Sequence, residues 1–189
     1  MIYEEISNEY ARSNISLKRS IFFFFYNVFG RFLPRTTMPY NLGSKKIRAF
    51  LVRNFIEYCG DDIQVETGAI LSPTIQVGNR CLIGEHCRIR GKVIIGDDVL
   101  FAQNVNVIAF NHNFERDDIP IRVQGESFGS ITIGNDVWLG INSTILNDVT
   151  VGNHAIIGVG SVVTKNVPEW AIVGGVPANV IKYRPRSSK

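Results

Sequence analysis

The chain has few of the features that mark a membrane-spanning, disulfide-built or nucleic-acid-binding protein. Its densest apolar run, Ile21 to Tyr26, falls far short of the ~20 residues that cross a bilayer. The run is also not at the extreme N-terminus before a cleavage site, as in a signal peptide. Three cysteines, Cys59, Cys81 and Cys87, are an odd number; without a secretory leader they read as reduced thiols in a cytoplasmic protein. A net charge of +3 is too small to imply a nucleic-acid partner. Most of the chain also lacks both the 3.6-residue period of an amphipathic helix and the two-residue alternation of an ordinary strand. The composition, 45% apolar and 20% charged over 189 residues, is that of one soluble domain.

The period that is present is six. An aliphatic or aromatic residue recurs at Val65, Leu71, Val77, Ile83, Ile89, Ile95, Phe101 and Val107, then at Ile133, Leu139, Ile145, Val151, Ile157 and Val163. Four residues after each stands a smaller or β-branched one, such as Ala69, Cys81, Cys87, Val93, Val137, Ser143 and Ala155. Glycine often follows the aliphatic residue, as at Gly78, Gly84, Gly96, Gly134, Gly140 and Gly158. A repeat of this length is the mark of a β-helix. Val93 and Ile95 point inward with Ile94 outward, because side chains alternate across a strand; Gly96, Asp97 and Asp98 then turn the chain. No hexad buries its own apolar face, so stability requires stacking. Cys81 and Cys87 occupy inward positions and read as packing residues.

Residues 1–62 lie outside this pattern and form an expected, partly helical cap. Residues 3–15 suggest a polar helix and Lys45 to Tyr58 a second, with Ile47, Phe50, Leu51 and Phe55 at helical spacing. The aromatic segment 21–33 allows two readings. It can pack on the first coil and close the open end of the core, which solenoids require. Alternatively, with Lys18, Arg19, Arg31 and Arg35 nearby, it can make a peripheral membrane contact. The repeat is interrupted once: Val107 to Ile133 is not a multiple of six. Residues 113–130 are therefore expected to loop out of the scaffold, and loops of that length are usually functional.

Several stretches together, in order, closely resemble the hexapeptide-repeat acyltransferases. They are the hexads, the loop after Asn111-His112, Val137-Trp138-Leu139-Gly140, Gly158 to Lys165, and Gly174-Gly175-Val176-Pro177-Ala178. Within that family the O-acetyltransferases of galactosides, maltose and bacterial surface polysaccharides are the most similar branch. The resemblance spans roughly residues 63–182, leaving 183–189 as a basic tail. It implies a mainly β fold, a left-handed parallel β-helix with an extruded loop. It also implies a homotrimer that binds acetyl-CoA and a sugar or glycan acceptor in clefts between neighbouring prisms.

On that resemblance His112 is the expected general base. It takes the sixth, outward place of its hexad directly before the loop, and an imidazole can accept a hydroxyl proton near neutral pH. The hydroxyl oxygen then attacks the thioester, and main-chain N–H groups at Gly140 and Ile141 are expected to hold the oxyanion. The family's cofactor groove maps onto Trp138, Gly140, Gly158, Val159, Thr164, Lys165 and Lys182, with Arg184 a further candidate for phosphate. In the loop, Asp117, Asp118, Arg122, Gln124 and Glu126 offer polar groups to sugar hydroxyls, with nothing to choose among them. His86 and His154 fall at the fourth, turn position of their hexads and read as surface residues. The three histidines differ in hexad position, so a zinc site, which needs convergent ligands, is not expected. A covalent acetyl-cysteine is not expected either. The leading reading is an acetyl-CoA-dependent O-acetyltransferase acting on a sugar of a surface polysaccharide (capsule, O-antigen or exopolysaccharide) or its precursor. The alternatives are a streptogramin- or chloramphenicol-type acetyltransferase and a non-catalytic scaffold subunit.

Overall fold

A computed structural model describes residues 15–186. Nearly all of the expected helix at 3–15, and the last three residues of the tail, lie outside them. The chain forms a parallel β-solenoid of about six turns whose triangular section has three sheets as faces. The first face stacks Tyr58–Cys59, Gln76–Val77, Lys92–Ile95, Ser130–Ile133 and Thr150–Val151. The second stacks Gln64–Val65, Leu82–Ile83, Leu100–Phe101, Trp138–Leu139, Ile156–Ile157 and Ala171–Gly175. The third stacks Ile70–Leu71, Arg88–Arg90, Asn106–Ile108, Thr144–Ile145 and Val162–Val163. Below, the first edge joins the first and second faces, the second edge joins the second and third, and the third edge leads back to the first.

Both six-residue series point inward. Every member from Val65 to Val163, and the smaller partners from Ala69 to Val167, are buried in one continuous core. Ile94, between two inward residues, is exposed. The fourth-place residues of the hexads turn the corners with positive φ: Arg80, Asp98, Asp136 and His154 on the first edge, His86, Asn104 and Asn142 on the second. The glycine that often follows the aliphatic residue has a steric cause. A Cβ at Gly140 would come within 2.7 Å of the Ile157 carbonyl oxygen in the next coil, a contact no methyl group makes. Along the first edge an amide ladder ties the coils: Asn79 Oδ1 accepts from Asp61 N, Asp97 Oδ1 from Asn79 N, and Asn135 Oδ1 from Asp97 N.

The stack begins one hexad earlier than the aliphatic series suggests. Cys59 pairs with Val77 in the place of an aliphatic residue, Gly60 follows it, and Ile63 is buried four places on. The second helix accordingly stops at Phe55, and Tyr58 already belongs to a strand. Two helices close the open end: Leu17–Val28 (α1), capped by Ser16, and Ser44–Phe55 (α2). Tyr26 is fully buried and its hydroxyl donates to the Ala69 carbonyl at 2.9 Å. Arg48, also buried, donates to the carbonyls of Val65, Leu33 and Pro34 and pairs with Glu66. A guanidinium serves here because its fixed fan of donors can satisfy several orphan carbonyls at once. At the other end Ala171–Gly175 turns into the antiparallel strand Ala178–Tyr183, and Arg184 continues along the first edge.

Candidate functional site

The interruption of the repeat is an arm rather than a loose loop. The chain leaves the third edge after Ala109, and Phe110–His112 pairs antiparallel with Glu126–Phe128. His112 therefore stands within the arm, and Ser130–Ile133 is already back in the first face. At the root, the Phe110 and Phe128 rings lie 6.2 Å apart and the Arg90 guanidinium sits over Phe110 at 5.0 Å. At the tip, Gln124 donates to the Arg116 and Ile119 carbonyls and accepts from Arg116 N. Arg116 pairs with Asp118 and holds that carboxyl below the usual range. These cross-links give the protruding ribbon a defined shape at little cost in core contacts.

His112 is directly opposite Glu126 in the register. Its Nδ1 lies 3.6 Å from Glu126 Oε1, with the imidazole 46% exposed and the carboxylate 16%. A carboxylate and an imidazole thus face each other across two strands, an arrangement that can fix the orientation of the ring. Sequence reasoning singled out His112 but placed Glu126, fourteen residues away, only among the polar groups of the loop. Only an antiparallel pairing brings them together, and a count of hexads carries no signal for it. Asn111 is exposed: with the strand turned out of the coil, its carboxamide oxygen accepts from His112 N at 3.0 Å.

The remaining predicted residues fall into two groups. Thr164 and Lys165 are exposed on the third edge, the edge from which the arm leaves. Trp138, Gly140, Ile141, Gly158 and Val159 lie on the second face and second edge. Lys182 joins them through the column Trp138, Ile156, Ile172, Lys182. Inter-strand spacing places Lys182 roughly 14 Å from Trp138 across that column. The whole third face separates this group from His112. Gly140 cannot serve as an oxyanion donor in the way expected, since its N–H already donates to the Ile157 carbonyl at 2.8 Å. Arg184 is likewise committed: it bonds Asp136 and the His154 carbonyl and lies over Trp170.

The other histidines sit on other edges. His86, exposed, turns the second edge; His154 turns the first, stacked on Trp170 at 4.0 Å and bonded to Asp136 at 2.9 Å. Hydrogen bonds from His154 and Arg184 hold the Asp136 carboxyl below its usual range. The three histidines thus occupy three different edges. Among the described residues no group of three His, Cys, Asp or Glu side chains is placed to hold a metal ion. Burial pushes the Cys87 thiol up to about 11 and raises Cys81 as well, so neither offers a thiolate to an acyl donor.

Comparison with known proteins agrees with this architecture. The bacterial transferase hexapeptide (six repeats) family matches residues 130–165. A maltose O-acetyltransferase from Clostridium difficile superposes with a TM-score of 0.74 at 27% identity, over 89% of this chain and 87% of that one. A galactoside acetyltransferase solved in complex with coenzyme A gives 0.71 at 28% identity, over 88% and 79%. An Escherichia coli protein that bears the name of a lipopolysaccharide biosynthesis O-acetyl transferase, WbbJ, is 37% identical over 104 residues, 51% of this chain and 53% of its own. The chain spans 39%, 43% and 53% of the length of three curated relatives that it matches. By repeat, coil stacking and structural likeness, the chain is a hexapeptide-repeat protein with the fold of the hexapeptide-repeat acetyltransferases.

Proposed function

We propose that this protein is an acetyl-CoA-dependent O-acetyltransferase acting on a sugar hydroxyl of a bacterial surface polysaccharide or its precursor. The observation that carries the proposal is His112, held on a cross-linked arm with its Nδ1 turned to Glu126. With Nδ1 so placed, Nε2 takes the proton of the acceptor hydroxyl as its oxygen attacks the thioester carbonyl. The imidazolium, facing Glu126, then returns the proton to the departing thiolate of CoA. Acyl passes directly from sulfur to oxygen, and Cys81 and Cys87 take no part. The developing oxyanion falls to the Ile141 N–H, since Gly140's is spent in the ladder.

The separation of the two groups of residues supports a homotrimer. A base on the third edge and a groove on the second cannot meet in one prism, but a cyclic, head-to-tail contact sets one chain's third edge against the next chain's second. The column Leu82, Leu100, Trp138, Ile156 and Ile172 presents an apolar outward surface for such a contact, with Leu100 and Trp138 exposed in the single chain. Lys165 and Lys182 then flank the cleft and neutralise the phosphates of CoA. The Escherichia coli and Clostridium difficile relatives, named for lipopolysaccharide and maltose acetylation, favour a saccharide acceptor. Free thiols at Cys59, Cys81 and Cys87 favour the cytoplasm.

The purified chain, given acetyl-CoA and a panel of nucleotide sugars and oligosaccharides, should release free CoA thiol with at least one of them. His112→Ala should remove that release while leaving CoA binding intact. A variant that turns over within a few-fold of the parent would overturn the assignment of the base.

A further inference from the structure

α1 is apolar on both of its faces, and the fold covers only one. Tyr26, Phe22 and Phe23 turn toward the core, with Arg19 beside them donating to the carbonyls of Phe55 and Pro73. The opposite face carries Leu17, Ile21, Phe24, Phe25, Val28 and Phe29, at the three- and four-residue steps that align side chains along a helix. All six are exposed, Phe24 to 59% and Phe29 to 60%. The stripe runs on through Phe32 in the following turn, with the Arg31 guanidinium over its ring. A helix that is hydrophobic all round is normally buried, and among the described residues nothing covers this one.

The charge of the same region is as lopsided as its hydrophobicity. Of the chain's 20 Lys and Arg, eight lie within residues 15–56, and all 17 Asp and Glu lie outside that span. Four of the eight are engaged by the protein itself: Arg19 and Arg48 by carbonyls, Arg35 by Glu85 and Arg53 by Asp61. Lys18, Lys45 and Lys46 are exposed, and Arg31 is partly so. The remainder of the chain is net negative. An aromatic stripe beside exposed cations, on a segment that itself carries no carboxylate, complements one kind of surface, an anionic bilayer interface, where aromatic rings enter the headgroup level and each nearby cation adds about fivefold in binding. Among the described residues no helix is long and apolar enough to cross a membrane, so the contact is one of lying on the surface.

We propose that the exposed face of α1, with the cations of the cap, docks the protein on an anionic phospholipid surface. This stands apart from the proposed chemistry. The test is co-sedimentation of the whole chain with vesicles of equal parts phosphatidylglycerol and phosphatidylcholine, or of phosphatidylcholine alone. Binding should be at least about tenfold tighter on the anionic vesicles and should weaken as salt is raised. Phe25→Ser with Phe29→Ser should reduce it by about a further tenfold or more. Both side chains are exposed, so the thermal midpoint and the acetylation of a soluble acceptor should stay as they were. Equal binding to both vesicles, or binding unmoved by the double substitution, would overturn the proposal. So would a double variant that changes particle mass by light scattering without losing vesicles, because a second copy of the chain would then be what covers the stripe. Because vesicle binding is read without acetyl-CoA, its failure is separable from failure of the acetyl-transfer reading.

Discussion

Replacing Glu126 by glutamine should slow acetyl transfer far less than removing His112, and the geometry fixes how much less. Unit charges 3.6 Å apart interact by about 1 kcal/mol at the dielectric of water and by about 4–5 kcal/mol at a value of 20. The imidazole is nearly half exposed, so the lower figure applies. Losing it from a transition state in which the imidazole becomes charged costs roughly fivefold in kcat. General-base catalysis itself is worth about 10²–10⁴-fold, and that is the loss expected for His112→Ala. Glutamine keeps the size of the side chain and the pairing of the arm, so CoA affinity and the thermal midpoint should not move. The decisive measurement is the double variant. If Glu126 acts only through His112, then His112→Ala with Glu126→Gln is no slower than His112→Ala alone. A further drop in the double variant would show that Glu126 has a role of its own. A loss as large for Glu126→Gln as for His112→Ala would make the carboxylate the base and refute the reasoning.

Lys165→Ala or Lys182→Ala should raise KM for acetyl-CoA more than it lowers kcat, and the penalty should shrink with a thioester lacking the nucleotide; equal losses with both donors would mean neither lysine meets phosphate. Iodoacetamide at about pH 8 should leave Cys81 and Cys87 unmodified in the folded protein, by mass spectrometry, because both are buried and Cys87 titrates only at about 11. The Glu66 carboxyl feels burial, which raises it, but hydrogen bonds from Thr36 and Gln64 and the charge of Arg48 outweigh that and leave it lowered. Its contribution to stability is therefore complete above the unfolded carboxylate range and is lost as pH falls through the lowered folded value. Glu66→Gln should accordingly lower the urea midpoint at neutral pH and flatten its fall toward acid, and an unchanged acid limb would contradict this.

The solenoid was readable in the sequence because each coil makes the same demand at the same place. Val65, Ile83, Phe101, Leu139 and Ile157 fill one column, so the pattern recurs until a coil departs from it. Departures hide even where the fold continues. Cys59 keeps the first rung without being aliphatic, and the last coil runs from Ile157 to Val173 in two residues fewer than the regular spacing. The arm was visible only as a break in counting. Phe110, Asn111 and His112 still look like the end of a hexad, and nothing local says that the chain has turned to pair with Glu126–Phe128. Of the two readings of segment 21–33, the cap accounts for one face of its helix and leaves the other exposed. A segment so rich in phenylalanine supplies more apolar surface than one core end can cover.

The proposed site was only half legible, because the residues assigned to it lie on two edges of the prism, and the same separation supplies the strongest test of the assembly. His112→Ala should abolish activity from the third edge. Val159→Trp should abolish it from the second, by crowding the proposed groove beside the exposed Val159. If each site takes His112 from one chain and the groove from the next, a random mixture of the two inactive chains regains some intact sites. Each site draws its histidine and its groove independently, so equal mixing after unfolding and refolding together should restore about a quarter of the parent activity. If both halves came from one chain, no mixed particle would hold an intact site and the mixture would stay inactive. A control mixed without unfolding should also stay inactive, which separates exchange of chains from leakage in either variant. A silent mixture, from refolded particles whose mass is that of three chains, would place His112 and the groove in the same prism and overturn the shared cleft.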